Sequence, residues 1–207
     1  MRYITKLLLA SGSPRRRLLI SQVFENNEVL AYSCDEPSWE IGQKPEQYLV
    51  LCLDAKWDAG LKSEGFSGAK IGYGLLVADT IVVMNGKVMG KPENKTQAIE
   101  MLKKLSGSQH EVWTGFKLGK LLGASSKGYR DFQSMTRIVK SQVEFRKLTN
   151  KEISDYVKSG EPMDKAGAYG FQGIGMQLVR SVKGSYTNIV GLPLIELKEV
   201  ARRLDFA

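Results

Sequence analysis

Residues 8–19 read LLASGSPRRRLL: an apolar strand, a Ser11-Gly12-Ser13-Pro14 turn, and three consecutive arginines, Arg15, Arg16 and Arg17, opening a helix. Each part has a physical reason if the turn faces a polyanion. Ser13 is a good N-cap, its hydroxyl able to satisfy a free amide of the first turn. Pro14 fits the first helical position, where its missing N–H costs nothing. The remaining amides and the positive end of the helix dipole point into the turn, where phosphate is well bound. Arginine in a first turn opposes that dipole, so Arg15, Arg16 and Arg17 destabilise the helix start until an anion arrives. An isolated arginine there is more often a solvated helix start. The cap, the proline, the small turn residues and the arginine run together favour a phosphate site.

Working outward, a strand over Lys6–Ala10 leads into a helix over Pro14–Phe24. A second helix runs from Pro45 to Gly60, with Tyr48, Leu49, Cys52 and Leu53 on its buried stripe and Lys56 at the edge of that stripe. Residues 62–74, rich in Gly, Ser and Lys, read as a surface loop. The β-rich run Leu75–Met84, the dipeptide Asn85-Gly86 and Lys87–Gly90 together give a strong hairpin signal. Asn94–Leu105 is an amphipathic helix closed by Ser106-Gly107. Strands follow over Glu111–Leu118 and Met135–Phe145, and the polar stretch 119–133 between them is predicted to be a mobile hairpin tip. Thr149 and Glu152 form a capping box for a helix ending at Ser159-Gly160. Residues 161–175, with glycines at 167, 170, 173 and 175, are non-helical in pattern. Met176–Val182 reads as a strand and Pro193–Leu204 as a last amphipathic helix. Helices and strands alternate without a clean βαβ period, and hairpins are evident, so the pattern predicts an α/β fold on a mixed, twisted sheet flanked by helices.

At 207 residues the chain can bury one substantial core or two closely joined lobes. Its 43% hydrophobic and 25% charged residues are those of an ordinary globular protein. No run approaches the length of a membrane span. Arg2 and Lys6 flank a short apolar stretch that flows into the SGSPRRR turn, which reads as a core strand and not a signal peptide. The two cysteines, Cys34 and Cys52, lack zinc-site spacing, and a reducing, cytoplasmic setting fits them. Thirty Lys and Arg against 22 Asp and Glu leave a net charge of +8, which suits an acidic small substrate or nucleic acid.

Asp79 sits in VADTIVV, a carboxylate inside an apolar strand, where charge is costly unless it faces a polar cleft or a cation. Asp35 and Glu36 are candidate partner carboxylates for a divalent cation. Lys91, in MGKP, returns near the sheet end that carries Asp79. The glycine-rich segment offers close backbone approach to a ligand, and Gln172 an amide able to read a base edge. It matches neither a P-loop nor a Rossmann turn. His110, the lone histidine, is read as structural or substrate-adjacent, and no GxSxG elbow is present. Several cations for phosphates, with carboxylates for metal and water, make an inventory for metal-assisted hydrolysis at phosphorus.

The stretches LLASGSPRRRLL, GKP, SGSQHEVWTGF, VEFRKLTNKEISDYV, EPMDKAGAYGFQG and GSYTNIVGLPL, in that order, closely resemble the Maf (septum-formation protein) family of nucleotide pyrophosphatases. The resemblance spans nearly the whole chain and implies one Maf-like domain over residues 1–207, with two lobes around a central cleft. It further implies an α/β fold shared with inosine-triphosphate pyrophosphatases. The implied activity cuts a nucleoside triphosphate to the monophosphate and pyrophosphate, using Mg²⁺ or Mn²⁺. By resemblance, Asp79 is the catalytic proton acceptor and, with Glu36, a metal-holding carboxylate. Ser11, Ser13, Arg15 and Arg16 bind phosphate, and Glu36, Lys56 and Lys91 complete the pocket. Arg15, Thr80 and Gln172 resemble the branch acting on dTTP and UTP, as opposed to the branch acting on 7-methyl-GTP. A homodimer is implied as well, beside the cytoplasmic setting and the lack of a membrane partner already read from the cysteines and the apolar runs. Phe171, where isoleucine is usual, and the long basic tip depart from bacterial relatives. The competing reading is a basic nucleic-acid-binding or cell-division regulator without turnover, contacting phosphate backbones through Lys127, Arg130 and Arg137. Dispersed charge and the lack of a nucleic-acid motif weigh against it.

Overall fold

The computed structural model describes residues 6–30, 32–124 and 130–205. Seven strands form one mixed sheet in the order β2-β1-β3-β5-β6-β7, with β4 paired to β3. Strands β1 (Lys6–Ala10), β2 (Asn27–Leu30) and β3 (Tyr73–Met84) run parallel to one another. Strands β4 (Lys87–Met89), β5 (Gln109–Ala124), β6 (Arg130–Phe145) and β7 (Val179–Lys183) join antiparallel. The sheet is therefore mixed, as the absence of a βαβ period predicts.

The centre of the sheet is covered on both faces, which is why β1 and β3 are continuous apolar runs and not alternating ones. Leu8, Ala10, Leu75 and Val77 face Leu53 and Trp57 of α2 (Pro45–Lys62). Their neighbours Leu7, Leu9, Leu76 and Ala78 face the other way. They pack with Ile20 of α1 (Pro14–Ser21) and with Leu197 and Val200 of α7 (Leu194–Arg203). A further core joins the far end of the sheet to α4 (Lys95–Leu105) and α5 (Asn150–Lys158), whose capping box forms as its sequence indicates.

The structure corrects several boundaries. Helix α1 ends at Ser21, and Gln22, Val23 and Phe24 turn back onto the carbonyls of Leu19 and Ile20 instead of extending it to Phe24. The expected loop 62–74 holds a short helix, α3 (Glu64–Ser67), that inserts Phe66 fully into the core. The segment read as a strand over 176–182 begins as a 3₁₀ turn (Gly173–Leu178), and the strand starts at Val179. Strand β2 and the short helix α6 (Tyr186–Val190) have no counterpart in the sequence reading.

The largest correction concerns 119–133. Residues 119–124 and 130–133 continue β5 and β6, and Lys120 and Leu121 are buried. Gly119 is a packing glycine and not a loop marker: a Cβ there would meet the Trp57 indole at 2.5 Å. Trp57 stacks edge-on to Phe132 across the same region, and Phe66 lies beside that ring. Residues 125–129, with Lys127, lie outside the described residues. No helix among the described residues is long and apolar enough to cross a membrane.

Candidate active site

Strand β1 stops at Ala10, opposite Val77 of β3. The turn Ser11-Gly12-Ser13 then passes beside Ala78, Asp79 and Thr80, just beyond the carboxyl end of the parallel strand, where α/β sheets bind ligands. Around this point lies a cleft of about 330 Å³. Ser11, Ser13, Arg15, Arg16, Lys56, Asp79, Thr80, Lys91 and Gln172, the residues named from sequence, all line it. Glu36 does not, but its carboxylate reaches the same centre through Lys56.

Lys56 is the electrostatic hub. Its side chain is 4% exposed, and its Nζ lies 2.5 Å from Asp79 Oδ1 and 2.9 Å from Glu36 Oε1. Burial alone lowers an ammonium's pKa, but the Asp79 charge and the two hydrogen bonds outweigh it and leave Lys56 raised above 10.5. Lys56 was expected at the rim of the α2 stripe; it is inside it, because the stripe runs under the cleft floor where Asp79 waits. Asp79, 13% exposed at its side chain, is thus the half-buried strand carboxylate held by a cation.

Ser13 caps α1 with a long contact, its Oγ accepting from the Arg16 amide at 3.5 Å, and the Ser13 amide donates to Ser11 Oγ. Arg16 folds back from the first turn into the cleft. Its Nε donates to the Gly191 carbonyl at 2.8 Å, Nη1 to Ser11 Oγ at 3.3 Å, and Nη2 to Thr80 Oγ1 at 2.9 Å. Burial lowers its pKa, and the neighbouring Asp79 charge opposes that shift.

Proton counting fixes the direction of the network behind it. Thr114 Oγ1 donates to the Asn188 carbonyl at 2.7 Å, so it has no proton left for Thr80 and must accept from it at 2.9 Å. Thr80 then donates to Thr114 and accepts from Arg16. Asn188, fully buried on α6, holds Thr114 in turn: its Oδ1 accepts the Thr114 amide, and its Nδ2 donates to the Val112 carbonyl and Ser141 Oγ. Thr114 and Asn188 escaped the sequence reading although both lie in quoted motifs. An asparagine directly before the apolar pair Ile189-Val190, three residues after the Ser185 cap, is the available signal.

At the other end of the cleft, Gln172 follows Phe171, whose ring meets Tyr186 edge-on at 5.5 Å. Lys165, also lining the cleft, is anchored by Asp164 at 2.6 Å and the Glu161 carbonyl at 2.8 Å. His110 is buried with its Nε2 2.8 Å from the Tyr169 hydroxyl, and Tyr169 lines the cleft. The histidine touches the site through the tyrosine and is otherwise a core residue. Both cysteines are free thiols. Two of the three basic residues proposed to meet nucleic acid have other partners: Arg130 donates to the Phe66 and Ser67 carbonyls, and Arg137 pairs with Glu199, while Lys127 lies outside the described residues.

Comparison with known proteins identifies the family. A family model described as Maf-like protein matches residues 6–204. A protein of Escherichia coli O157:H7 named dTTP/UTP pyrophosphatase is 41% identical over 197 residues, covering 95% of this chain and 92% of its own length. One of Photorhabdus laumondii subsp. laumondii with the same name is 42% identical over 194 residues, covering 94% and 91% respectively. With the match running from the first strand to the last helix, the chain belongs to the Maf-like protein family.

Proposed function

We propose that the protein hydrolyses dTTP and UTP between the α- and β-phosphorus, releasing the nucleoside monophosphate and pyrophosphate, and so clears surplus or modified pyrimidine triphosphates. The observation that carries this reading is the meeting, in one cleft, of the cationic α1 terminus with the Lys56–Asp79–Glu36 cluster. Curated relatives that share some 41% of their residues with this chain bear the name dTTP/UTP pyrophosphatase.

In this reading Ser11, Ser13, Arg15 and Arg16 receive the phosphates at the helix terminus. Asp79 accepts a proton from the attacking water as its oxygen bonds to the α-phosphorus. The bond from that phosphorus to the bridging oxygen breaks, and pyrophosphate departs. Lys56 and Arg16 offset charge that builds on the phosphate oxygens from positions already set before substrate arrives, and Lys91, which has no partner among the described residues, moves to meet it. Thr80 acts on the phosphate side, since its hydroxyl is engaged with Arg16 and Thr114.

Among the described residues no group of three His, Cys, Asp or Glu side chains gathers to hold a metal by itself. The donor set still fits Mg²⁺ or Mn²⁺ in the way phosphate enzymes use them, with one or two carboxylates and the remaining ligands from substrate phosphates and water. Asp79 and Glu36 would hold the ion, which supplies charge neutralisation on the triphosphate. Gln172, half-buried where it lines the cleft, reads the base edge, since a polar reader closed in by the base penalises one that leaves it unpaired.

The test is product analysis and kcat/KM across a nucleotide panel, with and without Mg²⁺ or Mn²⁺. Monophosphate plus pyrophosphate from dTTP and UTP is the expected result. Release of orthophosphate and a nucleoside diphosphate overturns the reaction. A purine or 7-methyl-GTP preference of about tenfold, ~1.4 kcal/mol in transition-state binding, overturns the base assignment alone.

A further inference from the structure

Gln172 sits on a segment with no strand partner, between the short 3₁₀ turns Ala166–Ala168 and Gly173–Leu178. A side chain that discriminates bases needs a fixed backbone, since a displacement of about 1 Å can erase its advantage. The fixing comes from two residues outside the cleft, Tyr156 on α5 and Glu161 at the start of the turn Glu161–Asp164.

The Tyr156 hydroxyl accepts the Gly170 amide at 3.1 Å and donates to Glu161 Oε1 at 2.9 Å. The same carboxylate accepts the Ile174 amide at 2.9 Å through Oε2 and the Gly175 amide at 3.0 Å through Oε1. The pair therefore grips the chain before Phe171-Gln172 and again after it. Two successive amides on one carboxylate make a charge-assisted anchor, stronger than neutral pairings.

The glycines of this run acquire a reason they lacked in the sequence. A Cβ on Gly173 would lie 2.8 Å from Glu161 Oε2, and one on Gly175 would lie 2.6 Å from the Tyr156 hydroxyl. Gly173 also has φ +84°, a conformation L side chains rarely adopt. Glycine stands there because the clamp, and at Gly175 the Gly170 carbonyl as well, occupies the space a side chain would need.

We propose that Tyr156 and Glu161 are positioning residues that set base selectivity by holding Gln172 in register, an inference that rests on Gln172 being the base reader. They act through the loop, since neither lines the cleft. The phosphate end, built on α1 and β3, is independent of them.

The test compares wild type with Glu161→Ala, Glu161→Gln and Tyr156→Phe in three readouts. These are kcat/KM for dTTP, UTP and dGTP, the inhibition constant of inorganic pyrophosphate, and amide exchange of residues 170–175. The pyrimidine preference should fall about tenfold or more, mainly through KM, as a polar reader losing its register predicts. Pyrophosphate inhibition should stay within about twofold, because its contacts are at the other end of the cleft. Amide protection at Gly170, Ile174 and Gly175 should drop. Glu161→Gln, which keeps one acceptor oxygen but turns an NH₂ toward a backbone N–H, should fall between wild type and Glu161→Ala. If Glu161→Ala does not fold, Tyr156→Phe carries the test, because it keeps the buried ring and drops the hydroxyl alone. Folded variants with unchanged base preference overturn this inference and leave the pyrophosphatase reading intact. A wild-type enzyme with no preference among bases overturns the role of Gln172 and this inference with it.

Discussion

Replacing Lys56 with methionine removes the ammonium that Asp79 and Glu36 share while keeping most of the buried stem. The two carboxylates are not equally exposed to the loss. Glu36 is 45% exposed at its side chain and can turn to water, so its pairing is worth little. Asp79 is 13% exposed and has Lys56 as its ion-pair partner at 2.5 Å, so its charge is left largely desolvated. Full burial of such an orphan costs 3–5 kcal/mol in typical cases; with some water reaching Asp79 from the cleft, we expect about 2–4 kcal/mol. Asp79→Asn should cost less, because Lys56 keeps Glu36 at 2.9 Å. The double variant should recover part of the loss, since an uncharged amide opposite methionine has no charge to strand. A double-mutant cycle by urea unfolding at pH 7.5 measures the coupling, expected at about 1–3 kcal/mol. The lysine's pKa is raised above 10.5, so its contribution is fully present at that pH and fades only on titration well into the alkaline range. Additive single losses, with coupling under about 0.5 kcal/mol, would show that Lys56 and Asp79 are neighbours without an energetic bond.

Asp79→Asn should also lower turnover of dTTP by roughly 10²–10⁴-fold if it accepts the water's proton, and near wild-type turnover in a steady-state assay removes it from that role. Thr114→Val leaves the Thr80 hydroxyl without its acceptor and loosens Arg16; kcat/KM should fall about tenfold with stability down by ~1 kcal/mol, and unchanged kinetics would refute the relay. Burial lowers the His110 imidazole to about 4 from 6.5, so the unfolded chain takes the proton first as pH falls, and roughly 3 kcal/mol present above pH 6.5 is lost by pH 4. His110→Phe should lack that loss in urea titrations across the range, and matching acid limbs in both proteins would refute it. Gly119→Ala drives a Cβ into the Trp57 indole and should destabilise by about 1–3 kcal/mol, read from the urea midpoint; a neutral result would mean the indole moves freely.

The parts of the fold legible in the sequence are those where local chemistry and tertiary packing ask for the same thing. The Ser13 cap, the capping box at Thr149 and the Asn85-Gly86 turn each close a local hydrogen-bonding need, and each element forms where its signal stands. Residues 119–124 and 130–133 read as tip and not as strand because their polar and glycine composition answers to distant partners. Gly119 yields room to Trp57, some sixty positions upstream, and Lys120 extends its ammonium to the Leu204 and Asp205 carbonyls. No window of neighbouring residues contains either reason. The same holds for Asn188: its four anchoring contacts reach β5 and β6, so sequence shows a polar residue in an apolar turn and nothing of what it holds. Lys91 and Gln172 were placed in the site by motif resemblance, and the cleft gathers them, but only the three-dimensional arrangement separates the residues that touch it from those that hold them.

That separation sorts the cations of the cleft by what they can do. Five basic side chains line it against two acidic ones, so an anion is welcome before any one contact is considered. Arg16, Lys56 and Lys165 already have partners that fix their position. Preset donors of this kind need no rearrangement when charge develops on a phosphate, which is where electrostatic catalysis gains over water. Arg15 and Lys91 also line the cleft without a hydrogen-bond or ion-pair partner among the described residues, and they can move to meet a ligand. A triphosphate presents both needs at once, a reacting phosphorus that must be held still and a leaving pyrophosphate that must be gripped and then released. Fixed cations, Arg16 and Lys56 beside Asp79 and Lys165 at the other end, and adjustable ones, Arg15 and Lys91, meet those two needs with different side chains, which accounts for so many positive charges in so small a cleft.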